Sequence, residues 1–249
     1  MVIVNINGED LQAEKGETLL QLARRHNIKI PALCHHQALA PFGACRLCVV
    51  EIKKGEQVKI DASCTYPVEE GIIVLTETPA VIQVRRLVLE SLLVRCPGVD
   101  LIRELALEIG VVEGNLPVKG DEMEKCILCG LCVRVCREVI GKNAISFVYR
   151  GAERRVATPF FTHADDCIGC TACEFVCPTG AIIAKRQEAG LTISPWNTKL
   201  SLVECSLCGD PFVPVKTMEH IKANFELPEG WENVCPACRR KAAAGALGG

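Results

Sequence analysis

No stretch of this 249-residue sequence is long and apolar enough to span a bilayer. A membrane-spanning helix needs about 20 predominantly apolar residues, and the most apolar helical candidate, residues 81–94, is broken by Arg85, Arg86 and Glu90. Charge of one sign is also lacking. Twenty-eight basic and 30 acidic side chains leave a formal net charge of −2, too little field to draw the chain to nucleic acid or to an anionic membrane. The opening residues Met1 to Gly8 have no basic segment leading into a long apolar one, which excludes an ordinary secretory signal. Neither a G-x-G-x-x-G turn nor a P-loop occurs, and with them goes the usual phosphate cradle for a nucleotide. The expectation is a cytoplasmic protein with no nucleic-acid or membrane partner and no substrate pocket of its own.

Cysteine, by contrast, is in excess: the chain has 17. Cytosolic thiols are kept reduced, so a disulfide framework is not expected. Closely spaced thiolates are instead the ligands of zinc and of iron–sulfur clusters. Sixteen of the cysteines fall into four groups of four, and Cys96 is left over.

The first group, Cys34, Cys45, Cys48 and Cys64, has the spacing C-x10-C-x2-C-x15-C and lies in residues 1–78. Around it, Val2–Gly8 alternates and ends in a turn signal. Thr18 can cap a helix with Leu19, Leu22, Ala23 and His26 at helical spacing. Strands are expected at 47–53 and 72–75. This order suggests a small β-grasp domain. The spacing differs from the plant-type C-x4-C-x2-C run. The segments Ile30-Pro31-Ala32-Leu33-Cys34-His35-His36, Gly43-Ala44-Cys45-Arg46-Leu47-Cys48 and Ser63-Cys64-Thr65-Tyr66-Pro67 resemble, in order, the N-terminal [2Fe–2S] domain of one family. That family comprises the large iron–sulfur subunit of respiratory complex I, the diaphorase small subunit of soluble NAD-linked hydrogenases, and iron-only hydrogenases. The resemblance implies one [2Fe–2S] cluster on these four cysteines. His35 and His36 raise the alternative of a Rieske centre, but that needs histidines on one iron in place of a second cysteine pair, and here Cys45-x2-Cys48 follows. A loop histidine facing solvent is the better reading.

Residues 79–120 form a connector. Pro79 opens one helix running to about Val94, and a second spans 100–109 and stops at Gly110. The resembled family usually carries a His-x3-Cys-x2-Cys-x5-Cys cluster motif here. This chain has a shorter segment, no histidine and only Cys96, so that cluster is expected to be missing, with Cys96 a small buried hydrophobe.

In residues 121–190 the run Cys126, Cys129, Cys132, Cys136 is C-x2-C-x2-C-x3-C, and it recurs 41 positions later as Cys167, Cys170, Cys173, Cys177 followed by Pro178. Paired runs of this kind hold two [4Fe–4S] clusters, the fourth cysteine of each serving the other cluster. One cubane is therefore assigned to Cys126, Cys129, Cys132 and Cys177, and the second to Cys167, Cys170, Cys173 and Cys136. Arg137 stands where the first run would usually have proline, so its exit turn should differ. Residues 144–158 read as an inserted hairpin.

The last group lies in residues 191–249. Cys205-x2-Cys208-Gly209 and Cys235-x2-Cys238 are two knuckles 26 residues apart, the usual recipe for a closed tetrahedral zinc site. A zinc-ribbon-like domain is expected, with a helix near 217–225 and a frayed tail from Ala242. His220 is a formal further ligand, but four thiolates already satisfy zinc.

The whole is α+β: a β-grasp [2Fe–2S] domain, a helical connector, a dicluster ferredoxin domain and a small zinc-ribbon-like C-terminal domain. The resemblance, over about residues 1–190, implies an electron-transfer subunit. It would work between a flavin-containing NAD(P)H-oxidoreductase subunit and a terminal enzyme such as a hydrogenase or formate dehydrogenase. The hydrogen-activating domain of iron-only hydrogenases is not expected. Two alternatives stay open. The chain could serve an electron-bifurcating complex of ferredoxin and NAD(P)H, such as a transhydrogenase, or it could be a redox-sensing or structural metal protein.

Overall fold

The computed structural model describes residues 1–111, 124–187 and 190–246, which divide between two compact units, Met1–Leu131 and Cys132–Gly249. In the first, Asn7 and Gly8 both take positive φ and close a hairpin between β1 (Val2–Ile6) and β2 (Glu9–Ala13). Helix α1 (Leu19–Arg25) starts from a capping box in which Thr18 and Gln21 satisfy each other's backbone N–H. Leu19, Leu22 and Ala23 are buried beneath it, whereas His26 is exposed and ends the helix. The sheet continues with β3 (Val49–Lys54), β4 (Gln57–Ala62) and β5 (Ile73–Leu75) in the order β2-β1-β5-β3-β4. Its central pair, β1 and β5, is parallel and the others are antiparallel, the β-grasp arrangement. Val4, Ile6, Leu20, Val50, Ile52 and Val74 form its core, each contributing about 1.5–3 kcal/mol by leaving water.

Two differences from the sequence-based expectation have simple causes. Strand β3 begins at Val49, because Leu47 and Cys48 belong to the cysteine loop. Strand β4, missed in the sequence although Gln57–Ala62 alternates polar and apolar residues, is an edge strand exposed over its first half.

The connector is helix α2 (Pro79–Arg95), capped by Thr78 with Pro79 at its first position, and α3 (Asp100–Glu108). Leu89, Leu93, Val99, Ile102 and Ala106 close over one another between them, together with Leu33 and Leu47 from the cysteine loop.

In the second unit, α4 (Leu131–Arg134) runs straight into a π-turn over Val135–Val139. Arg137 sits inside that turn; a proline there would have removed an N–H and blocked its continuation. The expected inserted hairpin is β6 (Ser146–Val148) with β7 (Arg155–Ala157). Helix α5 (Ala172–Phe175) lies within the second cysteine run and carries Cys173. A three-stranded antiparallel sheet of β8 (Ile183–Gln187), β9 (Gly190–Ser194) and β10 (Thr198–Leu200) then turns Leu191, Ile193 and Leu200 into an apolar cluster that also receives Cys132 and Trp196. The pair β11 (Leu202–Glu204) and β12 (Pro211–Pro214) leads into α6 (Val215–Asn224) and finally α7 (Pro236–Ala246). The tail expected to fray from Ala242 is helical as far as Ala246, since alanine has the highest helix propensity.

Candidate metal centres

The first cysteine group is assembled by the loop before β3 and by the β3–β4 hairpin. Val49 pairs with Ala62, and the buried Ser63 hydroxyl donates to the Cys48 carbonyl at 2.7 Å, so Cys48 and Cys64 stand side by side. Cys34 is brought to them by the loop, with the Cys45 N–H donating to its sulfur at 3.3 Å. Arg46, between Cys45 and Cys48, has φ 55°, and Gly43 has φ 69°. Left-handed backbone of this kind costs an L-residue roughly 1–2 kcal/mol, and here it curls the loop around the four sulfurs. Cys34, Cys48 and Cys64 are buried and Cys45 is half-buried.

These sulfurs share protons. Hydrogen bonds from the thiols of Cys45 and Cys64 pull Cys34 down to about 2, and Cys64 pulls Cys48 down to about 6. Cys45 and Cys64, holding the protons beside anionic sulfur, are raised, in each case chiefly by Cys34. Hydrogen bonding among these sulfurs thus favours the thiolate at Cys34 and Cys48, and binding a metal group would release the protons that the others hold. Of the neighbouring histidines, His35 Nδ1 lies 3.0 Å from the Arg24 guanidinium, and His36 Nδ1 accepts from the Ala38 N–H at 3.2 Å.

The two C-x2-C-x2-C-x3-C runs repeat in backbone as well as in sequence. Two residues after the first cysteine the chain is left-handed at Leu128 (φ 56°) and Gly169 (φ 76°). Four residues after it the same holds at Gly130 (φ 77°) and Thr171 (φ 60°). The fourth cysteine of each run accepts a backbone hydrogen bond at 3.3 Å, Cys136 from Ala144 and Cys177 from Ala181. Cys136 of the first run lines one cavity with Cys167, Cys170 and Cys173 of the second. Burial raises all three thiols of the second run, Cys173 up to about 12, and a bound cation would favour their thiolates. Cys132 and Cys177 meet on the apolar cluster of the second unit. Cys126 and Cys129 belong to the first unit, where the Arg95 guanidinium donates to the Cys126 carbonyl at 2.7 Å.

The C-terminal four are the tightest group. The sulfurs of Cys205, Cys208, Cys235 and Cys238 all lie within 4.8 Å of one another, and those of Cys208 and Cys235 are 3.8 Å apart. A tetrahedron with metal–sulfur bonds of about 2.3 Å has an edge close to that, whereas a four-iron core would force the thiolates much further apart. Backbone N–H groups, first that of Cys235, then those of Leu207 and Cys208, hold Cys205 down at about 6. His220 is outside the group and contacts Asn224 one turn along α6.

Sequence reasoning missed how this region reaches the second cysteine run. The Lys216 ammonium donates to the Asp165 carbonyl at 2.6 Å and the Thr217 hydroxyl to that of Ile168. Gly169 lies so close to β10 and β12 that a Cβ there would meet Leu200 Cδ1 at 2.5 Å and Pro214 Cγ at 2.9 Å. Cys96 ends α2, is fully buried in the connector's apolar cluster, and has its thiol pushed up to about 12 by that burial.

Residues 1–79 match the 2Fe-2S iron-sulfur cluster binding domain, and residues 125–181 match the 4Fe-4S dicluster domain. The chain thus carries matches to two iron–sulfur cluster domains. It is 33% identical over 230 residues to the NADPH-Fe(3+) oxidoreductase subunit alpha of Geobacter sulfurreducens, a match covering 84% of this chain and 27% of the relative. It is 32% identical over 207 residues to the NADH-ubiquinone oxidoreductase 75 kDa subunit of Reclinomonas americana, covering 74% of this chain and 30% of the relative. The chain thus spans less than a third of the length of these curated relatives. The first of these matches is longer than residues 1–190 alone would supply, so the likeness is wider than the sequence motifs indicate. Among solved structures, a chain of an NAD+-reducing [NiFe]-hydrogenase superposes with a TM-score of 0.58 at 28% identity, covering 73% of this protein and 84% of that chain. Among the described residues no helix is long and apolar enough to cross a membrane.

Proposed function

We propose that this protein is the electron-relay subunit of an NAD(P)H-oxidoreductase assembly, working between a flavin-containing subunit and a further redox enzyme, and is not itself catalytic. The reading draws on its relatives, which are named as subunits of NADH and NADPH oxidoreductases and as a chain of an NAD+-reducing hydrogenase. The ligand sets follow the cysteine groups. Cys34, Cys45, Cys48 and Cys64 would hold a [2Fe–2S] cluster. Cys126, Cys129, Cys132 and Cys177 would hold one [4Fe–4S] cluster, and Cys167, Cys170, Cys173 and Cys136 the other. Cys205, Cys208, Cys235 and Cys238 would hold structural zinc. When bound, the three clusters supply one-electron carriers, which the amino-acid side chains lack.

The observation that carries the relay is in the first unit. Leu33 and Leu47, from the loop of the first cysteine group, and Ile127, from the first C-x2-C run, all pack on the same α2–α3 cluster. Arg95 at the end of α2 ties down the Cys126 carbonyl. One apolar layer thus fixes two ligand loops against each other and keeps water from between them. A rigid dry spacer keeps the distance between carriers constant and lowers the reorganisation that accompanies each charge movement.

The test is anaerobic. Dithionite should reduce the purified chain to three paramagnetic centres, and NADH or NADPH should reduce it only when an NAD(P)H-oxidising flavoprotein is added. Turnover of NADH with an artificial acceptor by this chain alone would refute the relay reading.

A further inference from the structure

The apolar cluster of the second unit contains one polar atom with nothing to bind. Trp196, at the turn between β9 and β10, is 8% exposed, and its indole Nε1 is buried with no hydrogen-bond partner among the described residues. An unsatisfied buried donor costs about 1–3 kcal/mol, and such groups are rare enough that each calls for an acceptor. Trp196 lines the same cavity as Cys136, Cys167, Cys170 and Cys173. The other walls are largely apolar, with Ile140, Ala144, Ile145 and Ile193 among them. Thr158, Thr171 and Thr198 also line it but accept no hydrogen bond from the indole, which leaves sulfur as the acceptor on offer once a cluster is seated there.

We propose that the Trp196 indole N–H donates a hydrogen bond to a sulfur of the second cubane or its thiolates, and that Trp196 is a positioning residue which raises that cluster's reduction potential. The proposal rests on the assignment of Cys136, Cys167, Cys170 and Cys173 as its ligands. Reduction adds one electron to the iron–sulfur core, with no bond made or broken and the proton remaining on the indole. The positive end of the N–H dipole favours the more negative, reduced state, and hydrogen bonds to the sulfurs are one of the levers that set such potentials. Trp196 comes from residues 190–200, beyond the 125–181 stretch matched by the dicluster domain. This sheet would then add to the ferredoxin core a control that its cysteine runs do not contain.

Two measurements test this. The first leaves the sequence intact. The full chain is labelled with a spin-active isotope at the indole nitrogen, reduced with dithionite, and examined by pulsed EPR on each cubane signal. Coupling of one cubane to the labelled nitrogen is expected. The chain has two tryptophans, so Trp231→Phe identifies the source and should leave the coupling in place. The second measurement is a redox titration of Trp196→Phe and of a variant carrying benzothienylalanine at 196, which keeps the bicyclic shape without the N–H. Both should move the potential of one cubane downward and leave the other cubane and the [2Fe–2S] centre where they were. A second cubane that forms but shows no nitrogen coupling, or whose potential the benzothienyl variant leaves unmoved, overturns the role of Trp196 alone. Failure to find any second cubane in the unaltered, fully loaded protein overturns the ligand assignment together with it.

Discussion

Gly169→Ala puts the packing of the second cysteine loop to a quantitative test. The added methyl group would stand 2.5 Å from Leu200 Cδ1 and 2.9 Å from Pro214 Cγ, on a residue whose φ is 76°. The left-handed backbone costs an L-residue roughly 1–2 kcal/mol, and forcing a methyl group into a filled site typically costs about 1–3 kcal/mol more. The sum, about 2–5 kcal/mol, is a large fraction of the 5–15 kcal/mol typical of a whole domain. The Leu200 side chain can swing away; the Pro214 ring cannot, so the clash is only partly relievable. Because the chain has two compact units, a single melting curve would blend separate transitions, and the EPR signal of each cluster is the better local probe. In the variant the signal of the second cubane should vanish on heating at a temperature on the order of 10 °C lower, or fail to form, while the [2Fe–2S] signal keeps its wild-type midpoint. Adding Leu200→Ala removes the closer contact and should recover part of the loss. If Gly169→Ala loads and melts as the wild type does, the loop does not lie against β10 and β12 as described.

Metal analysis of anaerobically prepared protein should give about ten irons per chain, two from one binuclear and four from each of two tetranuclear clusters, with one zinc; about 14 irons would mean that the connector still carries a cluster. Replacing Cys205 and Cys208 by serine should remove the zinc and unfold α6 and α7. Because Lys216 and Thr217 hold the 165–168 loop, the second cubane should then also become labile to chelators while the [2Fe–2S] centre survives, and unchanged lability would show that this clasp contributes nothing. Cys96→Ser should leave iron content and every EPR signal as they are but lower stability by about 1–3 kcal/mol, since it buries a hydroxyl among apolar side chains; loss of a cubane would show that Cys96 is a ligand. Acidification should release zinc, because protons compete with the metal for its four thiolates, and zinc that stays bound in strong acid would contradict the reading.

The cysteine groups were legible in the sequence because a cluster or a zinc ion imposes local spacing, and local spacing is what a linear chain displays. The elements that carry them were legible for related reasons: Thr18 and Thr78 cap helices that follow at once, and Pro79 marks the start of α2. What stayed hidden depends on contacts across long separations. Nothing in the neighbourhood of Lys216 or Thr217 marks them as partners of carbonyls some 50 residues earlier. Nor does a leucine announce a left-handed backbone, yet Leu128 adopts one where its counterpart in the other run is Gly169. That pairing has a physical reason in the structure. Gly169 faces Leu200 and Pro214 and has no room for a side chain. The two runs thus obey one backbone plan, and the surroundings of each decide whether glycine is required. The C-terminal strands are for that reason part of the surroundings of the second cysteine run. They fix the residue type of its loop at Gly169, hold its carbonyls from α6, and bring the one buried unpaired indole donor to its cavity.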